Sequence, residues 1–282
     1  MAPHMEHTSP ARTALCAGAA LAGFAANSLL CRAALRGGEI DAWSFTAVRM
    51  ASGALVLGLL ARTWRAGSWA SALALVAYAG LFSLAYLLIP AGVGALVLFG
   101  AVQATMIGWS VRSGRRPRAL EWCGLALALG GLAWLTLPGA GAPDARGLGL
   151  MASAGIAWGI YSLRGRSAQR PLLATAGNFA RGVVLVLPFA AFAKVEIGAR
   201  GFGLACASGA LASGLGYSLW YAALPGMSAT RAALVQLSVP LLTACAAGLL
   251  LGERPSERLF VSGAAILGGI ALAVLWPQRR SE

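Results

Sequence analysis

The sequence predicts an all-α polytopic membrane protein in which ten transmembrane helices form two inverted five-helix repeats around a central cavity. Three observations predict this fold: the composition, the length of the apolar runs, and a motif that occurs twice. Of the 282 residues, 59% are hydrophobic and only 11% are charged, whereas soluble domains have about 25% charged residues. A bilayer core about 30 Å thick needs about 20 apolar residues per helix, and continuous runs of that length exclude the alternating strands of a barrel.

The apolar runs divide into ten expected spans, and little chain is left over for a soluble domain. Residues 1–12 are expected to form a disordered cytoplasmic N-terminus, and residues 277–282 a cytoplasmic C-terminus. No pattern of a cleavable signal peptide accompanies the first run, so it is expected to remain as a span. The spans are residues 13–35, 42–63, 68–89, 92–113, 119–138, 147–166, 172–193, 200–223, 228–251 and 257–276.

The basic balance of the chain indicates membrane topology rather than a nucleic-acid partner. The net charge is +13. With a cytoplasmic N-terminus, twelve basic residues fall on the inner side, whereas seven, Arg32 and Arg36 among them, fall in outer loops with six of the nine acids. This bias follows the positive-inside rule, so we expect a multi-pass protein of the bacterial inner (plasma) membrane with both termini in the cytoplasm. The excess arginines can also contact anionic membrane lipid.

Two stretches of the chain place the same residue types between apolar runs. They are Gly114-Arg115-Arg116-Pro117 and Gly252-Glu253-Arg254-Pro255. The offset that aligns them also aligns Gly130-Gly131 with Gly268-Gly269. Glycine tolerates the left-handed conformation that ends a helix, and proline cannot continue one, so both loops use the same helix-ending chemistry.

This internal similarity predicts two homologous halves. The first repeat is expected at residues 13–138 and the second at residues 147–276, joined by a periplasmic linker at 139–146. A slightly smaller offset also aligns Arg49 with Arg181. Because five is odd, the second repeat must enter the membrane from the opposite side, as in the inverted repeats of secondary transporters.

The two repeats resemble the drug/metabolite transporter superfamily, EamA type. The resemblance is carried by LLLGERPSERL and AAILGGIAL in the second half, and by SGRRPRALEW and LALALGGLAWL in the first. Arg115 departs from the family pattern, in which an acid is common at this position. The resemblance implies a ten-helix, basket-like fold whose central cavity is lined mostly by helices 1, 3, 4, 6, 8 and 9. The aromatic residues of helices 3, 6 and 8 look most like those of the YddG-type exporters of aromatic and other neutral amino acids.

Polar and aromatic side chains within the spans are candidates to line the cavity, because lipid tails cannot satisfy polar groups. Tyr78, Phe82 and Tyr86, for example, recur on one helical face. Two alternatives remain: a place in the interfacial aromatic belt for Tyr86 and Tyr221, which lie near span ends, and simple helix packing for the aromatic stripes. The expected substrate-binding residues are Asn27, Tyr78, Phe82, Tyr86, Phe99, Gln103, Trp158, Tyr161, Tyr217, Trp220 and Gln236.

Three arginines remain within spans: Arg49, Arg181 and Arg231. A charged side chain at a helix centre costs about 2.5–3.5 kcal/mol on insertion scales, so other groups must satisfy it. Two interpretations stand for Arg49 and Arg181. Each is held structurally, by snorkelling or by backbone carbonyls of a neighbouring helix, or it anchors the carboxylate of a substrate.

No Asp, Glu or His falls in the middle of a span. Proton-driven exporters of cationic drugs usually need such a membrane carboxylate. We therefore expect export of small neutral or zwitterionic metabolites, chiefly amino acids, by alternating access. Tyrosines, water chains or Glu121 at a span edge remain alternative proton carriers. Efflux of drugs or other metabolites, and a lipid-related role, remain alternative functions.

Motifs for catalysis, cofactors or metals are absent from the sequence, so neither an enzyme nor a cofactor is expected.

Two prolines mark expected gates. Pro90 lies at the short turn between spans 3 and 4, and Pro225 at the turn between spans 8 and 9. Inverted topology places these turns on opposite sides of the membrane. We expect the two hairpin ends to act as the outer and inner gates.

Overall fold

The computed structural model describes residues 9–114, 119–136, 142–165, 168–192, 197–227, 232 and 235–275, and these form helices and connecting loops without a strand. Several predictions concern residues outside this part of the chain. They are the disorder of residues 1–8, the placement of 277–282, most of the first motif (Arg115, Arg116 and Pro117), Arg231, and the side chain of Glu121.

Ten helices follow one another through the described residues, and each corresponds to one predicted span. Six of them, α1 to α4, α7 and α8, are long and apolar enough to cross a membrane, and α5 and α9 contain shorter apolar segments. The bounds are α1 (Pro10–Arg36), α2 (Ala42–Ala61), α3 (Trp69–Leu88), α4 (Ala91–Arg112), α5 (Ala119–Thr136), α6 (Ala145–Gly165), α7 (Pro171–Ala191), α8 (Ala199–Gly226), α9 (Ser238–Leu251) and α10 (Glu257–Leu275). The result is an all-helical, multi-pass membrane protein.

Local chemistry explains where the helices begin and end. The side chain of Asp41 accepts hydrogen bonds from two backbone amides at the start of α2, and Ser68 does the same for one amide of α3. Gly114 follows α4 with φ of +88°, and Gly252 follows α9 with φ of +65°. Both motif glycines therefore adopt the left-handed conformation that favours glycine at a helix C-terminus. α1 begins at Pro10, inside the segment expected to be disordered, because Ser9 caps it.

The helices pack in pairs across the two halves of the chain. α5 packs on α10, α3 on α6, α2 on α7 and α1 on α8. Glycine permits the close approach of α5 and α10: a Cβ at Gly131 would lie 2.8 Å from the Cβ of Ala265, and one at Gly269 would meet the backbone of α5. Gly130 and Gly268 have no atom within 4 Å of such a Cβ. Only the second glycine of each pair is therefore required by this packing.

α8 contains an irregularity that the sequence analysis did not predict. Residues Ser208–Leu215 form a π-helical segment between two α-helical parts. On one side, Ala212 and Gly216 lie against Gly23 of α1. Two hydroxyl residues of the segment, Ser208 and Ser213, are buried in the bundle. π-Helical turns inside α-helices occur frequently at functional sites.

Candidate functional site

A cavity of about 40 Å³ lies between the helices of the bundle. Its lining comes from α1, α3, α4, α6 and α8, and from Gln236 just ahead of α9. These are the six helices that the family resemblance implied. A water molecule needs about 10–15 Å³ of such space, so in this conformation the cavity has room for a few waters. An amino acid requires the helices to move apart.

The cavity brings together seven of the eleven predicted site residues and adds five others. No sequence pattern indicated that Ser213 would line the same cavity as Asn27. The predicted residues in the lining are Asn27, Tyr78, Phe82, Phe99, Trp158, Tyr217 and Gln236. The additional residues are Phe24, Ser28, Leu98, Ala212 and Ser213.

The other four predicted residues lie outside the lining. Tyr86 stands edge-on behind Phe82, with ring centroids 4.6 Å apart, and is fully buried in the protein rather than in an interfacial belt. Trp220 packs edge-on against Phe24 at 5.9 Å. Gln103 lines a separate cavity of about 40 Å³ between α4, α5 and α10. The fourth residue, Tyr161, belongs to a hydrogen-bond network outside the cavity.

This network joins α6, α7 and α8 to the loop between α2 and α3. The hydroxyl of Tyr161 donates to Thr175 at 3.2 Å, and Thr175 shares a 3.0 Å hydrogen bond with the hydroxyl of Tyr221. Asn178, on the same helix as Thr175, accepts a 2.9 Å hydrogen bond from the backbone amide of Ser68. Tyr161 and Tyr221 therefore hold helices together in this conformation.

Aromatic rings form most of the cavity wall. The ring of Trp158 lies 4.8 Å from that of Tyr78 and 5.4 Å from that of Tyr217, between centroids. Tyr217 in turn lies 5.8 Å from Phe24. These spacings fall in the range of favourable tilted and edge-to-face contacts. Three helices, α3, α6 and α8, thus present a continuous aromatic surface to the cavity.

A chain of hydrogen bonds runs behind this wall. The hydroxyl of Ser208 donates to Asn27 Oδ1 at 2.6 Å, and Asn27 Nδ2 faces the hydroxyl of Tyr78 at 3.5 Å. Arg49 Nη2 donates to the same Tyr78 hydroxyl at 3.2 Å, and Arg49 Nε donates to Ser213 Oγ at 3.3 Å. The polar side of the cavity is therefore connected to a buried arginine on α2.

Arg49 is the largest fully buried side chain of the described residues, with 0% of its surface exposed. Its guanidinium carbon lies 5.3 Å from the ring centroid of Tyr78 and 5.2 Å from that of Phe82. Among the described residues its Nη1 has no hydrogen-bond partner, and no acid forms an ion pair with it. The described hydrogen bonds of Arg49 therefore go to side-chain hydroxyls and not to backbone carbonyls of a neighbouring helix.

Arg181 does bond to backbone carbonyls, two of them in a loop and one on its own helix rather than on a neighbouring helix. Its Nη1 donates to the carbonyl oxygens of Ala66 and Gly177 at 2.6 and 2.9 Å, and its Nη2 donates to that of Arg65 at 3.0 Å. The guanidinium carbon lies 5.7 Å from the ring centroid of Trp69. Arg181 therefore fixes the loop between α2 and α3 to α7.

An ion pair joins α1 to the residue after Gly252 at the opposite end of the bundle. Glu253 accepts 2.8 Å and 2.7 Å hydrogen bonds from Arg32 Nε and from the backbone amide of Ala91 at the start of α4. The side chains of Arg32 and Glu253 are 15% and 10% exposed, so solvent screens the pair weakly. Arg32 also donates to the carbonyl oxygen of Tyr86 at 2.7 Å. Arg32 was expected in an outer loop, but it lies within α1, where the helix continues to Arg36.

A second, larger cavity of about 330 Å³ adjoins this end of the bundle. Pro90, Asp144 and Glu253 are among its lining residues. The hydrogen bond from Arg146 holds the pKa of Asp144 below its ordinary value, so the carboxylate that caps α6 is charged at neutral pH.

Comparisons with known proteins agree with this architecture. The model of the EamA-like transporter family matches residues 145–275. The uncharacterized protein PA1977 of Pseudomonas aeruginosa is 49% identical over 269 residues, which cover 93% of this chain and 94% of that protein. A solved crystal structure is similar with a TM-score of 0.67 and 21% sequence identity, over 95% of this chain and 98% of that one. At that identity the likeness shows the fold alone.

Proposed function

Residues 145–275 match the EamA-like transporter family, and from this premise we propose that the chain is a transporter of the drug/metabolite transporter superfamily that exports small zwitterionic or neutral metabolites. Amino acids with aromatic or other uncharged side chains are the proposed substrates. The proposed membrane is the bacterial inner membrane, and the mechanism is alternating access. Members of this family transport small substrates and are not enzymes.

The observation that carries the proposal is the aromatic cavity. Three rings, those of Tyr78, Trp158 and Tyr217, offer apolar faces to an amino acid side chain. The amides of Asn27 and Gln236 offer donors and acceptors to its polar groups. Ligand sites are typically concave and apolar with a few placed polar groups. The same aromatic residues support the proposed similarity to the YddG-type exporters.

The charge of the lining argues against cationic drugs. Among the residues that the structure describes, neither an acid nor a histidine lines the cavity. A buried cation is unfavourable without a counter-charge, and Arg49 lies directly behind the wall with a positive charge of its own. Efflux of cationic drugs is therefore the less favoured function.

The helix pairing supports the proposed inverted repeats. Exchanging each helix with the one five places later turns the α3–α6 contact into α8–α1 and leaves the α2–α7 and α5–α10 contacts unchanged. The matching left-handed glycines, Gly114 and Gly252, obey the same exchange. Two repeats of opposite orientation can rock about a site between them, as alternating access requires.

Counterflow in proteoliposomes tests the function. Vesicles with equal pH on both sides are preloaded with threonine, methionine, phenylalanine or a cationic dye, and exchange of labelled solute is measured. We expect exchange of the neutral amino acids and not of the dye. Trp158→Ala should lower the exchange about tenfold, since it removes a large contact surface.

The matched control is Trp109→Ala on α4, whose side chain is exposed on the outside of the bundle rather than lining the cavity. It should leave exchange unchanged. Exchange of the dye alone would replace amino acid export with drug efflux. Equal losses of exchange in Trp158→Ala and Trp109→Ala would show that the cavity is not where the substrate binds.

A further inference from the structure

The polar side of the cavity contains a positive charge that the described protein does not neutralise. Arg49 is completely buried, and its hydrogen bonds go only to the neutral hydroxyls of Tyr78 and Ser213. The ion pairs of the described residues join Arg32 to Glu253, Arg146 to Asp144 and Arg200 to Glu39. An unpaired buried charge is strongly unfavourable and marks functional sites in membrane segments.

The direction of each hydrogen bond follows from the donor inventory. A guanidinium can only donate, so the oxygens of Tyr78 and Ser213 must both accept from Arg49. Asn27 Oδ1 accepts from Ser208 at 2.6 Å, which turns the Asn27 amide group, a donor, toward Tyr78. Each hydroxyl keeps one proton of its own to donate. Within the described part of the chain, neither proton has an acceptor.

Both hydroxyl residues line the cavity. Their free protons are therefore available to a solute there, and each is polarised by the charge behind it. Arg49 does not line the cavity itself, but it lies directly behind both hydroxyls, and its Nη1 is buried without a partner among the described residues. A cluster of donors backed by one cation is complementary to one anionic group that has two oxygens.

We infer that Tyr78, Ser213 and Arg49 form a carboxylate subsite in which the two hydroxyls supply the donors and Arg49, behind them, supplies the counter-charge. The inference rests on the proposed function, since it takes the aromatic cavity as the place where the solute binds. The described lining offers an ammonium group no carboxylate. The carboxylate is therefore the recognised charge, the amino group is dispensable, and aromatic monocarboxylates without an amino group are substrates too.

Three compounds that share a phenyl ring separate the charges: phenylalanine, 3-phenylpropionate and phenethylamine. Their binding to the purified full-length protein in detergent is measured through tryptophan fluorescence and thermal stability. Their competition with labelled phenylalanine is measured by counterflow. We expect 3-phenylpropionate to bind within about threefold of phenylalanine, and phenethylamine to bind at least about tenfold more weakly.

Single-hydroxyl variants test the subsite without removing the charge. Tyr78→Phe and Ser213→Ala should each raise the Kd for 3-phenylpropionate about tenfold, because each removes a hydrogen bond to a charged group. Neither should change the Kd for the neutral phenethyl alcohol more than about twofold. Ser218→Ala is the matched control on α8, since its hydroxyl donates to the carbonyl of Gly214 and it does not line the cavity.

The outcomes separate this inference from the proposed function. Preferential binding of the two carboxylates without exchange of any amino acid would retain the subsite and reject export. Exchange of phenylalanine with equal competition by phenethylamine would retain export and overturn the subsite. Unchanged affinity for 3-phenylpropionate in both hydroxyl variants would also overturn the proposed subsite. Both of these variants keep Arg49, so the test does not depend on whether a variant without the arginine folds.

Discussion

Two arginines inside the helix bundle satisfy their charges in different ways. Arg181 of α7 donates to three backbone carbonyls, those of Ala66, Gly177 and Arg65. Arg49 of α2 donates to two side-chain hydroxyls and keeps one nitrogen without a partner among the described residues. Arg181 is thus bound to backbone oxygens of a loop and of its own helix, whereas the contacts of Arg49 leave the protons of two hydroxyls available to a solute.

The surroundings explain the difference. Two of the three oxygens that accept from Arg181, those of Ala66 and Arg65, lie in the loop between α2 and α3, where the chain has left a helix and its carbonyls have no helical partner. Arg49 is enclosed by helices, whose carbonyls are already occupied by their own hydrogen bonds. Side-chain hydroxyls are then the available acceptors. The same residue type therefore has a structural role next to a loop with free carbonyls. Between helices whose carbonyls are already bonded, it keeps a positive charge that is available to bind an anion.

The largest expected effect comes from neutralising Arg49. Arg49→Gln should raise the Kd for a carboxylate-bearing solute about 100-fold, since a counter-charge and its hydrogen bonds are lost. Thermal stability should stay equal or increase, because the variant no longer buries an unpaired charge. Binding and melting are measured on the same detergent-purified sample. A large fall in the melting temperature with an unchanged Kd would show that Arg49, like Arg181, has only a structural role.

Arg181→Gln should show the reverse pattern. Loss of its hydrogen bonds to the loop should lower the free energy of unfolding by about 2 kcal/mol. The Kd for the solute should change less than about twofold, because Arg181 does not contact the cavity lining. Unfolding in mixed micelles gives the first quantity and fluorescence titration the second. Weakened binding with intact stability would identify Arg181 as a second anchor.

A third arginine, Arg32, extends the comparison because it has an acid partner. Glu253→Gln removes that charge from the contact with Arg32 and Ala91, and should favour opening of this end of the bundle. A cysteine introduced at Ala247, which lines the adjoining cavity, should react with a water-soluble maleimide about tenfold faster. Glu257→Gln at the start of α10 is the control. Equal labelling rates in both variants would mean that the ion pair does not hold this end closed.

The smallest expected effect concerns the ring beside Arg181. Trp69→Leu removes a cation–π contact at 5.7 Å and should lower stability by about 0.5–1 kcal/mol. Phe82→Leu removes the equivalent contact beside Arg49 at 5.2 Å and should weaken solute binding by a comparable free energy. Melting and titration of both variants measure the pair of effects. Weaker solute binding by Trp69→Leu would contradict the conclusion that the surroundings of Arg181 affect stability and not binding.

Much of the fold was predictable because hydropathy and helix-ending chemistry are local properties. The ten predicted spans correspond to ten helices, and Gly114 and Gly252 end α4 and α9 as expected. The close α5–α10 packing through Gly131 and Gly269 also follows from small residues at helical spacing. Crossing of the membrane by all ten helices, their orientation and the repeat symmetry stay predictions.

The site was only partly predictable from the sequence. Helical periodicity predicts which residues lie on the same face of a helix, but it does not predict how far along that face the cavity extends. Tyr78 and Phe82 reach it, whereas Tyr86, one turn further on the same face, packs in the core. The sequence contained no pattern that indicated which residues pair across long distances in the chain. Arg32 and Glu253 are 221 residues apart, and their pairing depends on how the two halves pack.

Ser213 was missed for a further reason, which is the π-helical segment Ser208–Leu215. A segment of this kind holds more residues per turn than an α-helix, so it sets the angular phase of everything beyond it. Deleting one residue here would leave composition and hydropathy almost unchanged, yet rotate Tyr217 and its neighbours by about 100° relative to the first part of α8. The chemistry of the cavity is thus encoded in a residue count as well as in residue identities, and a single-codon deletion could change the substrate without altering the fold.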